Sequence, residues 1–382
     1  MSGSVLLIGS KYAPVSKCVQ PARAITSRTF RQKDAQPKPA PFPYKEKKYG
    51  LFQVLFDDTR SRFDENTKLV VIEGPPTAGK DKLAKKLAEE LEMLYMPNPM
   101  LGDSYINSYG FDLRQLNDRL PEDVQFVDES LFVKHPNHRN IPRMQLYKYM
   151  LRYGQHIDAI THILNTGQGV VLSRCSHSDY VFTEAMYKQG FISQSFYNYY
   201  QKVKANVMPF MLRPHLVIYL DVPVEEIKRR IQERKNPVEI NSPVYQEPFL
   251  KSLEKVYKQD YLQAINEHAE LLVYDWSEGG EAEVVVEDIE RIDFEKYGIY
   301  DDKMKDWRLS QTWQLSQARY EFTNYRQKLL AYFNIIGTEC PEIMSDGGNI
   351  LEAERLILEQ PSLKYSPGFN AAAGDKGVLW KI

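Results

Sequence analysis

The stretch from residue 68 to residue 81 constrains the fold of this chain more than any other. It reads KLVVIEGPPTAGKD, in which an apolar run typical of a buried strand precedes Gly-x-x-x-x-Gly-Lys and a charged segment that favours a helix. Strand, glycine-bounded loop and helix in this order predict a phosphate-binding loop. After Lys80, where such loops carry a serine or threonine that ligates magnesium, this chain has Asp81.

The loop supplies the first candidate binding residues. The positions expected to surround a phosphate are Gly74, Ala78, Gly79, Lys80 and Asp81. A carboxylate at the last of these repels a polyphosphate, although carboxylates can also ligate magnesium. The loop therefore predicts phosphate binding and leaves open whether it belongs to a working enzyme.

Apolar runs and amphipathic helices alternate beyond the loop. The predicted strands are residues 69–72, 93–96, 169–172, 215–220 and 270–274. The predicted helices are residues 83–91, 145–167, 177–189, 193–208, 221–234, 249–268 and 282–292, and residues 98–142 read as a polar insertion. This order predicts an α/β domain over residues 68–292, with a five-stranded parallel sheet covered by helices on both faces. Ligands of such sheets bind at the carboxyl ends of the strands, where Arg174 and the basic helix after strand four also lie.

The alternation stops near residue 293. Residues 305–333 carry aromatic side chains among charges and predict one long helix, and residues 364–382 are rich in turns and aromatics. We interpret residues 293–382 as a helical and extended C-terminal extension. It either straps its own domain or docks on another chain, and we favour docking.

The first 45 residues are basic. Eight lysines and arginines are opposed there by one acid, Asp34, which is typical of a mitochondrial transit peptide; the alternative is a disordered basic tail. We assign residues 1–35 to the transit peptide and residues 36–67, which begin with a proline-rich run, to an N-terminal arm.

Composition excludes several classes of function. The net charge of the whole chain is -2, so no global field favours nucleic acid or anionic lipid, and no apolar run approaches the roughly 18 residues of a transmembrane helix. Three scattered cysteines and seven histidines without ligand spacing predict neither disulfides nor a metal site.

Five stretches resemble the deoxynucleoside kinases and occur in that family's order. They are residues 74–80, 143–146, 169–174, 178–186 and 215–223. The resemblance implies that Gln145 reads a nucleobase and that Arg229, Arg230 and Arg234 belong to a lid that clamps phosphates. The alternatives are a satisfied amide in a buried helix for Gln145 and a solvated basic face for the arginines.

The chain departs from the kinase pattern where catalysis occurs. The family carries Glu-Arg-Ser after strand three, of which Arg174 alone remains, between Ser173 and Cys175. The family's general base is a glutamate after strand two, where this chain has Asn98 between two prolines. With Asp81, three positions have changed, so we predict no catalytic residues. An active kinase would need Asp81, Asp103 or Asp221 as substitutes.

A divergent branch of the family resembles the chain nearly end to end. The basic leader and residues 184–187, 189–192 and 364–368 are similar to the kinase-like accessory subunits of mitochondrial respiratory complex I (NADH:ubiquinone oxidoreductase). This resemblance implies a non-catalytic structural or assembly role, other subunits of the complex as partners, and a peripheral position on the matrix side of the inner membrane. The alternatives are an active mitochondrial deoxynucleoside kinase and a free nucleotide-sensing protein.

The resemblance to this branch also implies an association with FAD. No Gly-x-Gly-x-x-Gly occurs in the sequence, so the residues favour a bound nucleotide over a flavin, and we predict no required cofactor.

Overall fold

A single parallel sheet forms the centre of the protein. The computed structural model describes residues 24–29, 38–298, 300–309 and 311–376. The strands are β1 (Leu69–Glu73), β2 (Leu94–Met96), β3 (Val170–Ser173), β4 (Leu216–Asp221) and β5 (Glu270–Asp275), in the order β2-β3-β1-β4-β5. All four strand pairs are parallel. The predicted five-stranded sheet is confirmed, with each strand end displaced by one residue at most.

Helices surround the sheet and continue into the extension. They are α1 (Leu51–Phe56), α2 (Lys80–Glu90), α3 (Leu101–Ser104), α4 (Glu129–Lys134), α5 (Ile141–Thr166), α6 (Tyr180–Lys188), α7 (Gln194–Val207), α8 (Val224–Glu233), α9 (Pro237–Asn241), α10 (Glu247–Val256), α11 (Leu262–Asn266), α12 (Ala282–Glu290), α13 (Thr312–Asn324), α14 (Arg326–Ala331) and α15 (Gly347–Glu359). A π-helical turn, Tyr257–Tyr261, joins α10 to α11.

The central strand β1 separates two apolar clusters. Leu69 and Val71 point into the cluster that contains side chains of α5, α6, α7 and α10. Val70 and Ile72 point into the opposite cluster, with α2, α8 and α12. Burial on both faces explains why this strand reads as an unbroken apolar run.

The N-terminal arm crosses the carboxyl end of α5. This helix ends at Gly167, which has φ +74°, and a Cβ there would lie 2.1 Å from the carbonyl oxygen of Arg62. Gly169 is equally close to the arm, since its Cβ would lie 2.1 Å from the carbonyl oxygen of Asn66. Only glycine therefore lets the arm and the core approach this closely.

The predicted single helix over residues 305–333 is wrong. The segment forms a 3₁₀ turn, Lys305–Trp307, followed by α13 and α14, which are separated at Tyr325. Asn324, the last residue of α13, donates its amide to the carbonyl oxygen of Tyr49 at 2.7 Å and accepts the Tyr49 N–H at 3.1 Å. Docking on the arm thus coincides with the interruption of the helix, which helical periodicity alone does not reveal.

One buried arginine joins the arm, the core and the extension. Arg319 of α13 is the largest fully buried side chain among the described residues. Its guanidinium donates to Asn165 Oδ1 at 2.8 Å, to Thr59 Oγ1 at 3.2 Å and to Asp57 Oδ2 at 2.9 Å. It also stacks 4.0 Å from the ring of Tyr49. The extension therefore straps its own domain at this point.

A second strap lies over the insertion of residues 98–142. Leu356 of α15 packs with Leu116 and Leu120 of the insertion. Asp123 of the insertion accepts hydrogen bonds from Asp346 N and Asn349 Nδ2, both at 2.8 Å. Docking of the extension on another chain stays a prediction.

The predicted transit peptide lies outside the described residues except for residues 24–29. Ile25 is fully buried, the Thr26 N–H donates to Asn66 Oδ1 at 2.8 Å, and the Ser27 N–H donates to Glu290 Oε1 at 2.7 Å. These residues are part of the folded domain. Within the described ranges, no helix has the length and apolarity to cross a bilayer.

Candidate phosphate-binding site

The loop between β1 and α2 has the backbone of an anion-binding turn. Gly74, Thr77 and Gly79 have φ of +151°, +64° and +80°. A Cβ at Gly74 would lie 2.8 Å from the carbonyl oxygen of Leu220 on β4, so the loop starts tight against the neighbouring strand. It ends at the N-terminus of the 11-residue helix α2, whose first amides are those of Lys80 and Asp81. Free amides at a helix N-terminus favour an anion.

Lys80 bends back over the loop. Its Nζ donates to the carbonyl oxygen of Pro75 at 2.7 Å. Burial and the neighbouring Arg174 lower the pKa of Lys80 to about 8, although Glu73 and Asp81 act in the opposite direction. The ammonium is thus charged at neutral pH, and a phosphate beside it would stabilise that charge.

Glu73 is a site residue that the sequence analysis missed. This carboxylate is fully buried at the end of β1 and accepts hydrogen bonds from Cys175 N at 3.2 Å and from the Tyr257 hydroxyl at 3.1 Å. Arg174 Nε lies 3.7 Å from its Oε2. An acid that ends an apolar strand run directly before the loop was the available signal.

Arg174 is held in an unfavourable state. Its backbone has φ +68°, which is rare for a non-glycine residue, and its side chain is 6% exposed. The guanidinium lies 4.0 Å from the Phe182 ring, and its Nε and Nη2 have no hydrogen-bond partner among the described residues. Because unpartnered buried N–H groups are costly, this arrangement points to an anionic ligand.

A polar face of α5 closes the site on the other side. Gln145, Lys148 and Arg152 follow at helical spacings of three and four, a pattern the sequence analysis noticed only at Gln145. Gln145 Nε2 donates to Asp179 Oδ2 at 2.9 Å and to Thr183 Oγ1 at 3.1 Å. Both amide hydrogen bonds therefore go to protein, and base recognition by Gln145 stays a prediction.

Two of the four cations of the site are held in close ion pairs. Lys148 pairs with Glu129, and Arg152 pairs with the fully buried Asp179. Burial and Arg152 lower the pKa of Lys148 to about 8, against the effect of Glu129. The cations of the site are Lys80, Lys148, Arg152 and Arg174, and its carboxylates are Glu73, Glu129, Asp179 and the exposed Asp81. Because carboxylates pair with Lys148 and Arg152, Lys80 and Arg174 are the cations available to an anion.

The three predicted lid arginines differ in position. Arg229 is exposed and pairs with Glu226 and Glu233. Arg230 donates to the carbonyl oxygens of Thr77 at 3.2 Å, Trp276 at 2.9 Å and Ser277 at 2.6 Å, so it supports the loop from behind. Arg234 is half exposed and lies 3.7 Å from Glu239. The structure brings Arg230 to the loop backbone and leaves Arg234 at the surface.

The three altered kinase positions have new partners or surroundings. Asp81 Oδ1 accepts the Tyr95 hydroxyl at 3.2 Å, and Asn98 Oδ1 accepts Arg152 Nε at 3.1 Å. Ser173 is buried at the end of β3. Of the substitute carboxylates, Asp221 pairs with Lys258 at 3.0 Å and Asp103 is exposed on α3. In the part of the chain that the structure describes, no three His, Cys, Asp or Glu side chains cluster closely enough to hold a metal ion.

The sheet, the loop and the buried cations define a nucleoside-kinase type of domain. A sequence model of the deoxynucleoside kinase family matches residues 70–306, and the chain belongs to this family. Over 87% of its length it is also similar to the mitochondrial NADH dehydrogenase [ubiquinone] 1 alpha subcomplex subunit 10, with 35% identity over 343 residues to the Mus musculus protein and 34% over 339 residues to that of Bos taurus. The matches cover 90% and 93% of those two proteins. Both resemblances predicted from the motifs are confirmed.

Kinases are more distant relatives. The deoxyguanosine kinase of Dictyostelium discoideum is 25% identical over 237 residues, which are 62% of this chain and 74% of that protein. A solved structure of deoxyadenosine kinase from M. mycoides with bound dATP covers 58% of this chain and 96% of its own, at a TM-score of 0.42 and 22% identity.

Proposed function

We propose that this protein is a non-catalytic accessory subunit of mitochondrial respiratory complex I, with a structural or assembly role and a degenerate nucleotide-binding site. The observation that carries this proposal is the extent of similarity to the complex I proteins. It spans 87% of the chain, whereas the kinase family match ends at residue 306. The similarity therefore reaches into segments that a kinase domain does not need.

The arrangement of carboxylates supports the absence of phosphoryl transfer. A general base must reach the attacking hydroxyl, and losing one costs roughly 10²–10⁴ in rate. Asn98 stands at the position of the family's base, and both Glu73 oxygens accept hydrogen bonds from protein groups. Asp81 and Asp221 are bonded to Tyr95 and Lys258.

A phosphate-bearing nucleotide is the ligand that we infer for the site. Lys80, the α2 amides and the unpartnered donors of Arg174 suit phosphate groups. A flavin fits less well, because the sequence contains no Gly-x-Gly-x-x-Gly. We propose no required cofactor.

We infer a position on the matrix side of the inner membrane, in contact with other subunits of the complex. The mitochondrial relatives and the basic leader support this location. Native electrophoresis of mitochondria tests it. A subunit migrates with the large complex, whereas a free nucleotide sensor migrates near the 44.5 kDa of the single chain.

The distant kinase relatives make an active deoxynucleoside kinase the alternative. The test is phosphate transfer from ATP to each deoxynucleoside in the presence of magnesium, with Lys80→Ala as control. We expect no turnover above that control. Turnover at ordinary kinase rates that disappears in Lys80→Ala would reject the non-catalytic proposal.

A further inference from the structure

Helix α1 presents an apolar face to solvent. Leu51, Phe52, Leu55 and Phe56 are 74–78% exposed, and no residue of this helix is buried. They occupy positions i, i+1, i+4 and i+5, which lie on one side of an α-helix. The rings of Phe52 and Phe56 lie 5.1 Å apart. Scattered exposed apolar residues are ordinary, but four contiguous ones mark an interaction surface.

The body of the protein holds this face in place. Before α1, Tyr49 is fully buried and its backbone makes both hydrogen bonds to the Asn324 side chain, at 3.1 and 2.7 Å. After α1, Asp57 pairs with Arg62 and Arg319. The helix is thus anchored at both ends, so its apolar face is presented without a loss of backbone order on binding.

Three exposed lysines, Lys45, Lys47 and Lys48, precede α1 in the chain. The exposed acids of residues 45–58 are Glu46 and Asp58, whereas Asp57 pairs with Arg62 and Arg319. The exposed charges next to α1 therefore have a small basic excess, although the net charge of the whole chain is -2. We name Leu51, Phe52, Leu55, Phe56 and these three lysines the α1 patch.

We propose that the α1 patch docks on the surface of an anionic lipid bilayer. Short apolar faces rich in Phe and Leu enter the boundary between headgroups and acyl chains, and adjacent lysines bind anionic headgroups. A second copy of the chain fits less well. The four exposed side chains offer on the order of 500 Å², below the roughly 800 Å² per partner of a stable dimer.

Vesicle binding of the full chain tests the proposal. We expect it to bind vesicles of phosphatidylcholine with phosphatidylglycerol more tightly than phosphatidylcholine alone, and Phe52→Ser/Phe56→Ser to weaken binding about tenfold. Lys45→Glu/Lys47→Glu/Lys48→Glu should reduce the preference for anionic vesicles. The matched control is Leu351→Ser/Leu358→Ser, which changes exposed apolar residues of α15 and should bind like wild type. All variants should unfold at the wild-type temperature, because the side chains are exposed.

A position-specific readout separates the patch from the basic leader, which all variants share. A photoreactive benzophenone side chain in place of Phe56 should crosslink to lipid, whereas the same group in place of the exposed Tyr365 should not. Wild-type vesicle binding by Phe52→Ser/Phe56→Ser would overturn the proposal. So would crosslinks from position 56 to a second copy or to another protein instead of lipid.

Discussion

Lys80 is the residue whose titration most directly controls the candidate site. Its pKa of about 8 in the folded chain lies below the ordinary lysine value of 10.5. Between these two values the unfolded chain holds a proton that the folded chain has lost. The contribution of Lys80 to stability therefore rises with pH across this window, while its attraction for phosphate falls.

We expect the affinity for ADP to fall about tenfold between pH 7 and pH 9.5, because the Lys80 charge is lost on the way. Isothermal titration calorimetry measures it. Lys80→Met should bind weakly at pH 7 and show a smaller pH step, and the exposed Lys82→Met on the same helix should behave like wild type. Equal affinities at both pH values would contradict the role given to Lys80.

Lys148 gives a stability prediction. Lys148→Met leaves Glu129 without its ion-pair partner, with only the Leu101 N–H still donating to it, so we expect a loss of about 3 kcal/mol in the free energy of unfolding. The double variant Lys148→Met/Glu129→Gln should recover most of that loss, because no charge remains unpaired. Urea unfolding at pH 7 compares the two. A double variant as unstable as the single one would show that packing, not charge, is responsible.

The site was partly predictable at the residue scale. The loop motif revealed Lys80, and Arg174 was found because it follows the apolar run of β3 closely. Glu73 escaped notice because it precedes the first glycine of the motif and is not part of it. The pairing of Arg152 with Asp179 joins residues of α5 and the start of α6, and sequence spacing carries no information about which helices meet.

At the scale of elements, Arg319 holds the N-terminal arm through its hydrogen bonds to Asp57, Thr59 and Asn165, which we call the Arg319 junction. Arg319→Met removes one of the two cationic partners of Asp57 and the donor to Asn165 Oδ1, and we expect a loss of about 3 kcal/mol together with faster proteolysis within residues 38–67. Arg326→Met is the matched control on α14. Its ion pair with Asp158 is over two fifths exposed on both sides, so its loss should cost less than about 1 kcal/mol. Denaturant unfolding and limited trypsin digestion provide the two measurements.

Strands and core helices were predictable because burial on a parallel sheet imposes its own periodicity. The strands kept their predicted bounds within one residue, and the long helix ending at Gly167 was found by its apolar spacing. Where packing rather than period decides, the prediction failed. The break between α13 and α14 lies at Asn324 and Tyr325, where the helix meets an arm more than 270 residues earlier in the chain.

At the scale of the whole molecule, the contacts of residues 24–29 limit where a transit peptide can be cleaved. Their contacts with Asn66 and Glu290 exist only if they remain in the chain. We therefore expect the N-terminus of the mature protein to lie at or before residue 24, short of the boundary predicted at residue 35. Mass spectrometry of the protein from mitochondria decides this. A mature N-terminus after residue 29 would show that these contacts are dispensable.

The straps made by the extension were the least predictable feature of the whole molecule. The composition of the extension suggested exposed aromatic side chains. Whether the extension packs on its own domain or on another chain depends on the positions of α13 and α15, which the composition does not give. Long-range hydrogen bonds, such as those that Asp123 accepts from residues 346 and 349, leave no periodic trace in the sequence.

The Arg319 junction also fixes an order of events during biogenesis. Asp57 and Arg319 are 262 residues apart, and a ribosome makes the arm long before it makes the guanidinium that holds it. Until then Asp57 has only Arg62 as a cationic partner, and the arm has no anchor on Asn324. We expect a chain truncated before residue 319 to carry a loose N-terminal arm whose apolar helix α1 is open to proteases. Completion of the extension should then show as protease resistance of the arm.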